Sequence, residues 1–554
     1  MFNRLRFAAD RAMRMSNVTE RLAAAYGGRT ALIVDAPPTW LGLQGTAIGF
    51  DELHRAVSRL ATVLRRSGLQ RFGRVAVYKT NHIDYYVMCL AVMRAGGIAV
   101  PVHGDLPTAS FVQYAAYTGC EAVYTDDEHF ARIDRSQLPG VHTWLVPVAT
   151  PGVAGRRVAL EQQLSQQMPA QTPLAEPAAL CRHDDALIVH TSGTTGFPKG
   201  VLHSSESLIH SVRIALLRNP LPSDDRVLIA GHLNHHIAFT SLLAANMCGT
   251  PASVATDLGA AHLLDRMERE KTTLFFAFPD VYLRLYAGGL VQRELPSMRY
   301  WLTGGDAMHE VHIRECVRKG RSLKILGWSL RGSLFIELLG TSEVGSAALT
   351  KISSLRTKRF SRYVGRQSWI GPRVKVADAS GRPMPAGVPG RLMVRGRTLF
   401  KGYWNLHERL HEVMVDGWWW TGDMAMQDRR GRIYHLDREA DMVHSGSGPV
   451  FGLPIEEKLL MCKDIGEAAV IEIEHPTSGK VPVALVHSLS GAPVDGAHTL
   501  ETVNRTLEPG QRLQTVVDVG SAARMPRGLT GKVLKRELRE RYRGLFQAGQ
   551  APTA

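Results

Sequence analysis

Residues 191–200 read TSGTTGFPKG, a run of glycines and hydroxyls that ends on a proline-stiffened lysine. Gly193 and Gly196 can take positive φ and leave no side chain in front of the backbone, so successive N–H groups can turn inward as a nest for an anion. Ser192, Thr194 and Thr195 add hydroxyl donors, and Lys199 adds a full charge. The preceding run, Ala186 to His190, is short and apolar, so the loop is expected to leave a strand of a sheet. Gly200 after Lys199 separates the pattern from the Walker loop, which has Ser or Thr there. The bland alternative is a polar surface loop; the chemistry favours a polyphosphate cradle.

The elements around this loop predict an α/β chain. Asp51 to Ser67 has the spacing of an amphipathic helix, 74–78 of a strand, 85–95 of a helix and 97–101 of a strand. The alternation resumes after a Pro- and Gln-rich stretch, 162–177, which reads as a surface connection. It continues with a helix over 258–270, a strand over 273–277, a helix over 307–319 and a strand over 333–338. From Val374 onward short strands alternate with Gly and Pro turns, as in a β-rich subdomain. The expected architecture is a large N-terminal domain, 1–437, of two layered α/β subdomains and a β-rich one, followed by a small mobile α/β domain, 438–554.

At 554 residues, 45% apolar and 21% charged, the composition is that of a multidomain globular protein. No stretch reaches the ~18 uncharged apolar residues of a membrane helix; 237–249 comes nearest. The six cysteines lack CxxC spacing, which predicts neither a disulfide framework nor a zinc site and fits a reducing cytoplasm. The N-terminus lacks the uninterrupted apolar core of a secretory signal. It could contact a membrane peripherally as a basic amphipathic helix with Phe2, Leu5, Phe7 and Met13 on one side, or pack onto the first domain. A net charge of +15 favours anionic partners. Nucleic acid is disfavoured, because the basic residues are dispersed and no nucleic-acid module is recognisable.

Seven segments in order resemble the adenylate-forming superfamily of acyl-CoA synthetases, luciferases and peptide-synthetase adenylation domains. They are TSGTTGFPKG at 191, TGGDAM at 303, LGTSEVG at 339, GRPMPAGVPGRLMVRG at 381, WWWTGD at 418, DREADMVHSG at 437 and PRGLTGKVLKREL at 526. The resemblance implies an AMP-forming ligase that activates a carboxylic acid with ATP and Mg²⁺, then transfers the acyl group to coenzyme A or to a phosphopantetheinyl acyl carrier protein. It assigns Lys532 to the reacting carboxylate and phosphate oxygens, Glu343 to Mg²⁺, and His235, with His236 as a near rival, to the carboxylate or thiol channel. It assigns the nucleotide to Thr191, Ser192, Gly193, Thr194, Thr195, Gly196 and Lys199, to Gly304, Gly305 and Asp306, to Leu339, Gly340, Thr341 and Ser342, and to Asp423 and Arg438. Taken alone, Lys532 reads as one more solvated cation of the basic run 524–541, and Glu343 as a turn residue.

Ile237, Ala238, Phe239, Phe276 and Phe278 are apolar, which predicts an acid with an apolar tail or ring or, equally, an ordinary core. Three positions depart from the family pattern. Leu339 replaces an aromatic residue that packs on adenine; Ala440 replaces a hinge Asp or Lys; and 445–452 reads SGSGPVFG where the family borders its pantetheine tunnel. These departures keep open a second reading, a degenerate, non-catalytic nucleotide-binding protein. The retained charges of Lys199, Glu343, Asp423 and Lys532 argue against it.

Overall fold

The computed structural model describes residues 2–151, 155, 157–167, 174–191, 198–218, 225–305, 308, 310–325, 328–358, 362–488, 490–528 and 532–547. Two eight-stranded sheets, each mostly parallel, form the bulk of the chain. In the first, the strands Arg74–Tyr78, Ile98–Val102 and Asp185–His190 lie side by side in parallel, and Gly200–Ser204 returns antiparallel to Asp185–His190. The segment 191–200 therefore joins two antiparallel neighbours rather than leading from strand to helix. In the second, Val227–Ala230, Leu274–Ala277, Tyr300–Gly304 and Leu334–Leu339 run parallel, closed by antiparallel Leu349–Ser353. The predicted helices are found as Phe50–Arg66, Asp84–Ala95, Ala260–Glu270 and Glu310–Arg318.

The sheets meet through two helices that are apolar on nearly every face, Asp84–Ala95 and His236–Cys248. Such helices have no polar stripe to offer to water and are stable only when covered. The Tyr86 hydroxyl donates to Asn246 Oδ1 at 3.0 Å and fixes one against the other. The first of these helices starts on a buried ion pair, Lys79 Nζ to Asp84 Oδ1 at 3.0 Å, with the Tyr124 hydroxyl donating to Asp84 Oδ2 at 2.7 Å. Burial by itself would raise the Asp84 carboxyl; the Lys79 ammonium and the hydrogen bonds outweigh it and hold the group well below the usual carboxylate range.

A third sheet is antiparallel and follows residue 362, with Arg432–Arg438, Trp418–Gln427 and Pro389–Arg395 adjacent in it. The C-terminal part is small: strands Ile465–His475, Gly479–Ser488 and Thr515–Asp518, with helices Gly452–Leu459, Gly496–Asn504 and Lys535–Arg541. The whole is thus a mixed α/β protein with a large N-terminal portion and a small C-terminal one.

One sequence expectation changes. The stretch 162–177 is not wholly a connection, because Leu160–Gln167 is helical and buries Leu164; residues 168–173 lie outside the described residues. The N-terminal helix Phe2–Ala9 packs onto the protein, with Phe7 and the following Met13 in the core. Phe7 and Met13 are thus covered by protein, while Leu5 is exposed. No helix among the described residues is long and apolar enough to cross a membrane. All six cysteines are free.

The C-terminal part is fastened by a buried charge cluster. Lys535 Nζ lies 2.7 Å from Glu456 Oε1 and 3.7 Å from Asp437 Oδ1, while Asp437 Oδ2 accepts the Gly452 N–H at 2.6 Å. Asp437 belongs to the strand Arg432–Arg438, so one lysine joins that strand to two C-terminal helices. Removing the lysine leaves two carboxylates facing each other out of water, which costs about 3–5 kcal/mol. Lys535→Met is expected to lower stability by that amount and to expose residues beyond 438 to limited proteolysis; an unchanged urea midpoint and digestion pattern would show that the cluster does not fasten this part. For Asp84 the folded-state value is depressed, so its contribution is present above the unfolded value and is lost as pH falls below about 4. An Asp84→Asn variant should accordingly show a flatter acid limb than the wild type in stability measured between about pH 5 and pH 2.

Candidate active site

A cavity of about 420 Å³ opens where the second sheet, the antiparallel sheet and the C-terminal part converge. The second sheet supplies Gly305, Leu339, Gly340 and Thr341, which follow or end parallel strands. Such strand ends are where open α/β sheets place ligands. Gly305 has φ of +95°, and a Cβ there would stand 3.3 Å from the Phe278 ring, so both backbone shape and space favour glycine.

The antiparallel sheet supplies Asp423, His435 and Arg438. Register puts Asp423 directly opposite Arg438 across the ladder, and Arg438 Nε reaches Asp423 Oδ1 at 3.0 Å. His435 Nε2 approaches the same oxygen at 3.5 Å. Asp423 is 4% exposed. Burial pushes its carboxyl up, but Arg438, His435 and Lys532 outweigh it and hold the group ionised well below the usual range. Lys532, from the C-terminal part, lines the same cavity, three residues before the anchored Lys535. Residues far apart in sequence, Gly305, Asp423, Arg438 and Lys532, are thus brought together.

A second cluster surrounds Glu343. Its side chain is buried, and Oε1 accepts the Tyr403 hydroxyl at 3.1 Å. Lys199 Nζ stands 5.6 Å from the centre of the Tyr403 ring. Burial and then Arg409 lower the Lys199 ammonium, opposed by Glu343 and Glu412, so lysine and glutamate share one environment. The backbone carbonyl of Ser342 accepts from His203 Nε2 at 2.8 Å, tying the 340–343 turn to the strand that follows the glycine loop. At the base of that loop the Thr191 N–H donates to the Lys199 carbonyl at 3.1 Å. Ser192, Gly193, Thr194, Thr195, Gly196 and Asp306 lie outside the described residues.

His235 falls in a third cluster, separate from the cavity lining. It caps the helix His236–Cys248, with its ring 4.9 Å from Phe278 and 5.7 Å from His103. Burial and the neighbouring imidazoles His103, His190 and His232 pull its pKa well down, so the ring is neutral at neutral pH. Gly304 approaches Ile237 and Gly305 approaches Phe278, so the end of one strand separates this cluster from the cavity. Phe239 and Phe276 are core residues, Phe239 packing on Tyr86 at 5.2 Å. Behind Phe276 lies an apolar void of about 50 Å³. His236 turns away from His235 toward His203, ring centres 4.6 Å apart.

At the expected hinge, Ala440 sits in a short 3₁₀ turn, Glu439–Asp441, and its carbonyl accepts from Arg539 at 3.1 Å. Arg539 also pairs with Asp441 at 2.6 Å, so an aspartate one position later stands at the turn. The segment 445–452 contributes a two-stranded hairpin, Val443–Ser445 with Gly448–Val450. Sequence reasoning missed His435 and Tyr403. The first has no motif of its own and is placed by strand register alone; the second reaches Glu343 only through the fold.

The family described as AMP-binding enzyme matches residues 19–404. Among curated relatives, 3-aminoavenalumate diazotase from Streptomyces is 28% identical, covering 97% of this chain and 98% of that one. Feruloyl-CoA synthase from Amycolatopsis is 28% identical over 90% and 94% of the two chains. Indoleacetate–CoA ligase from Aromatoleum aromaticum is 26% identical over 95% and 98%. Among solved structures, ATP-bound MatB from Rhodopseudomonas palustris superposes with a TM-score of 0.80 at 24% identity, covering 97% of this chain and all of that one. The o-succinylbenzoate CoA synthetase of Bacillus subtilis with an acyl-adenylate gives 0.77 at 21%, over 97% and 99%. With the match spanning most of its length, the chain belongs to the AMP-binding enzyme family.

Proposed function

We propose that the chain activates a carboxylic acid with MgATP to an acyl-adenylate and passes the acyl group to a thiol, coenzyme A in the first instance. The observation that carries this reading is the meeting of Lys532 with Asp423, Arg438 and the Gly305 strand end in one cavity. Attack of a carboxylate on a phosphate brings two anions together, so the enzyme's task is to supply positive charge where the negative charge shifts. Lys532 is the cation for that task. A unit charge at about 4 Å contributes about 4 kcal/mol at an effective dielectric near 20.

Asp423, an ionised carboxylate lining the cavity, suits the ribose hydroxyls as an acceptor. Leu339 offers the base an apolar face in place of a stacking ring. Glu343, a buried hard oxygen donor beside Lys199, fits Mg²⁺, whose charge would neutralise phosphate oxygens when bound. Thr191, Gly304, Gly340, Thr341 and Ser342 complete the nucleotide side in this reading, with Ser192, Gly193, Thr194, Thr195, Gly196 and Asp306. His235, neutral and beside Phe278, stands toward the acid or thiol side. The division into a body, 1–437, and a lid, 438–554, turning near Ala440, belongs to the same proposal.

The relatives' names differ in reaction, one a diazotase and two that join an acid to coenzyme A, so the second half-reaction is the open half. The positive net charge also suits an acidic carrier protein. Lys532→Ala is expected to reduce acid-dependent pyrophosphate exchange by about a thousandfold with an unchanged melting temperature; exchange within threefold of wild type would overturn the role given to this lysine. Incubation with MgATP, a panel of aromatic, fatty and short-chain acids, and either coenzyme A or a holo-carrier protein is expected to yield the acyl-CoA thioester. A thioester only on the carrier would replace the acceptor, and no pyrophosphate release with any acid would favour the degenerate reading.

A further inference from the structure

Two turns at the junction of the sheets bring together side chains that the proposed reaction does not use. His103 and Asp105 follow the strand Ile98–Val102 of the first sheet, and His232 follows Val227–Ala230 of the second. One ligand atom from each of the three lies within 4.8 Å of the other two, and the two imidazole ring centres are 4.0 Å apart. His103 is 2% exposed, and its Nε2 has no hydrogen-bond partner among the described residues; its Nδ1 accepts the Asp105 N–H at 3.1 Å and stands 3.9 Å from Asp105 Oδ2.

The turn is held before any ligand arrives. Gly104 presses on the Lys79 carbonyl so closely that a Cβ would come within 2.3 Å, and His129 Nε2 donates to the Gly104 carbonyl at 3.1 Å. The His103 N–H is in turn bonded to His190 Nε2 at 3.1 Å, next to Thr191.

We propose that His103, Asp105 and His232 form a site for a divalent transition-metal ion of the zinc class, joining the two sheets at the base of the glycine loop. Two imidazoles and one carboxylate are a donor set that zinc, cobalt and iron accept and that magnesium does not favour. Ligand atoms bonded at about 2.0–2.2 Å to one tetrahedral ion lie about 3.3 Å apart, so closure needs a movement of about 1.5 Å at most. Asp105, with a side chain 78% exposed, has the freedom to supply it. Burial, aided by His232 and His190, pulls His103 down to about 3, and burial also lowers His232, so both rings are neutral at neutral pH, and a metal on His103 Nδ1 would take the lone pair that now accepts the Asp105 N–H.

The site adjoins His235, whose ring is 5.7 Å from that of His103, and is tested without nucleotide. Tag-free, EDTA-treated full-length protein is titrated with Co²⁺, following its visible d–d absorption, in a tenfold excess of Mg²⁺. One equivalent is expected to bind and to be displaced by Zn²⁺. His232→Ala and the exposed-site variant Asp105→Asn are each expected to weaken binding at least tenfold, and His498→Ala, on an exposed helix face remote in sequence from the cluster, to leave it unchanged. Absence of a cobalt band up to about 1 mM, or a loss below threefold in both His232→Ala and Asp105→Asn, overturns the proposal.

Discussion

Lys535 carries its charge into the interior between Glu456 and Asp437, and the placement of the cavity depends on that contact. Asp437 precedes Arg438, whose guanidinium holds Asp423; Lys535 follows Lys532 by less than one helical turn. One buried cation therefore fixes the C-terminal segment relative to the strand Arg432–Arg438, which pairs with the strand that carries Asp423. A buried lysine gains little net stability against a well-packed apolar residue, but unlike one it tolerates only arrangements in which its carboxylates are present. The cluster thus specifies which faces meet.

The rest of the architecture serves to bring strand ends to one place. Parallel strands need crossover helices, and the helices Asp84–Ala95 and His236–Cys248 lie between the sheets because they have no wettable face. Their burial sets the distance between the sheets, so that the end of Asp185–His190 and the imidazoles after Val227–Ala230 meet at the same edge. In that setting electrostatics separates the charges by role. Asp423 stays ionised because Arg438, His435 and Lys532 face it, whereas His235 and His103 stay neutral because burial and neighbouring imidazoles disfavour their charged forms.

Much of this was legible in the order of residues because it is local. The glycine loop, the amphipathic helix Phe50–Arg66 and the parallel strands declare themselves through spacing over a few residues, and the seven ordered motifs give the family. The apolar positions were harder to read. Phe239 and Phe276 belong to the core, since an apolar residue looks the same whether it lines a pocket or fills an interior. The N-terminal helix has one apolar side in either of its readings; only the fold shows that Phe7 is covered by protein.

The sequence by itself determined the α/β class and named the candidate charges Lys199, Glu343, Asp423 and Lys532, because these follow from residue type at short spacing. Only the tertiary structure decided which of them share a site. It put Asp423, Arg438 and Lys532 around one cavity and gave Glu343 a tyrosine. It also set His435 beside Asp423 and His103 beside His232. The reason is physical: a contact between distant residues is fixed by strand register and by the packing of buried helices, and neither quantity is written in any short stretch of the chain.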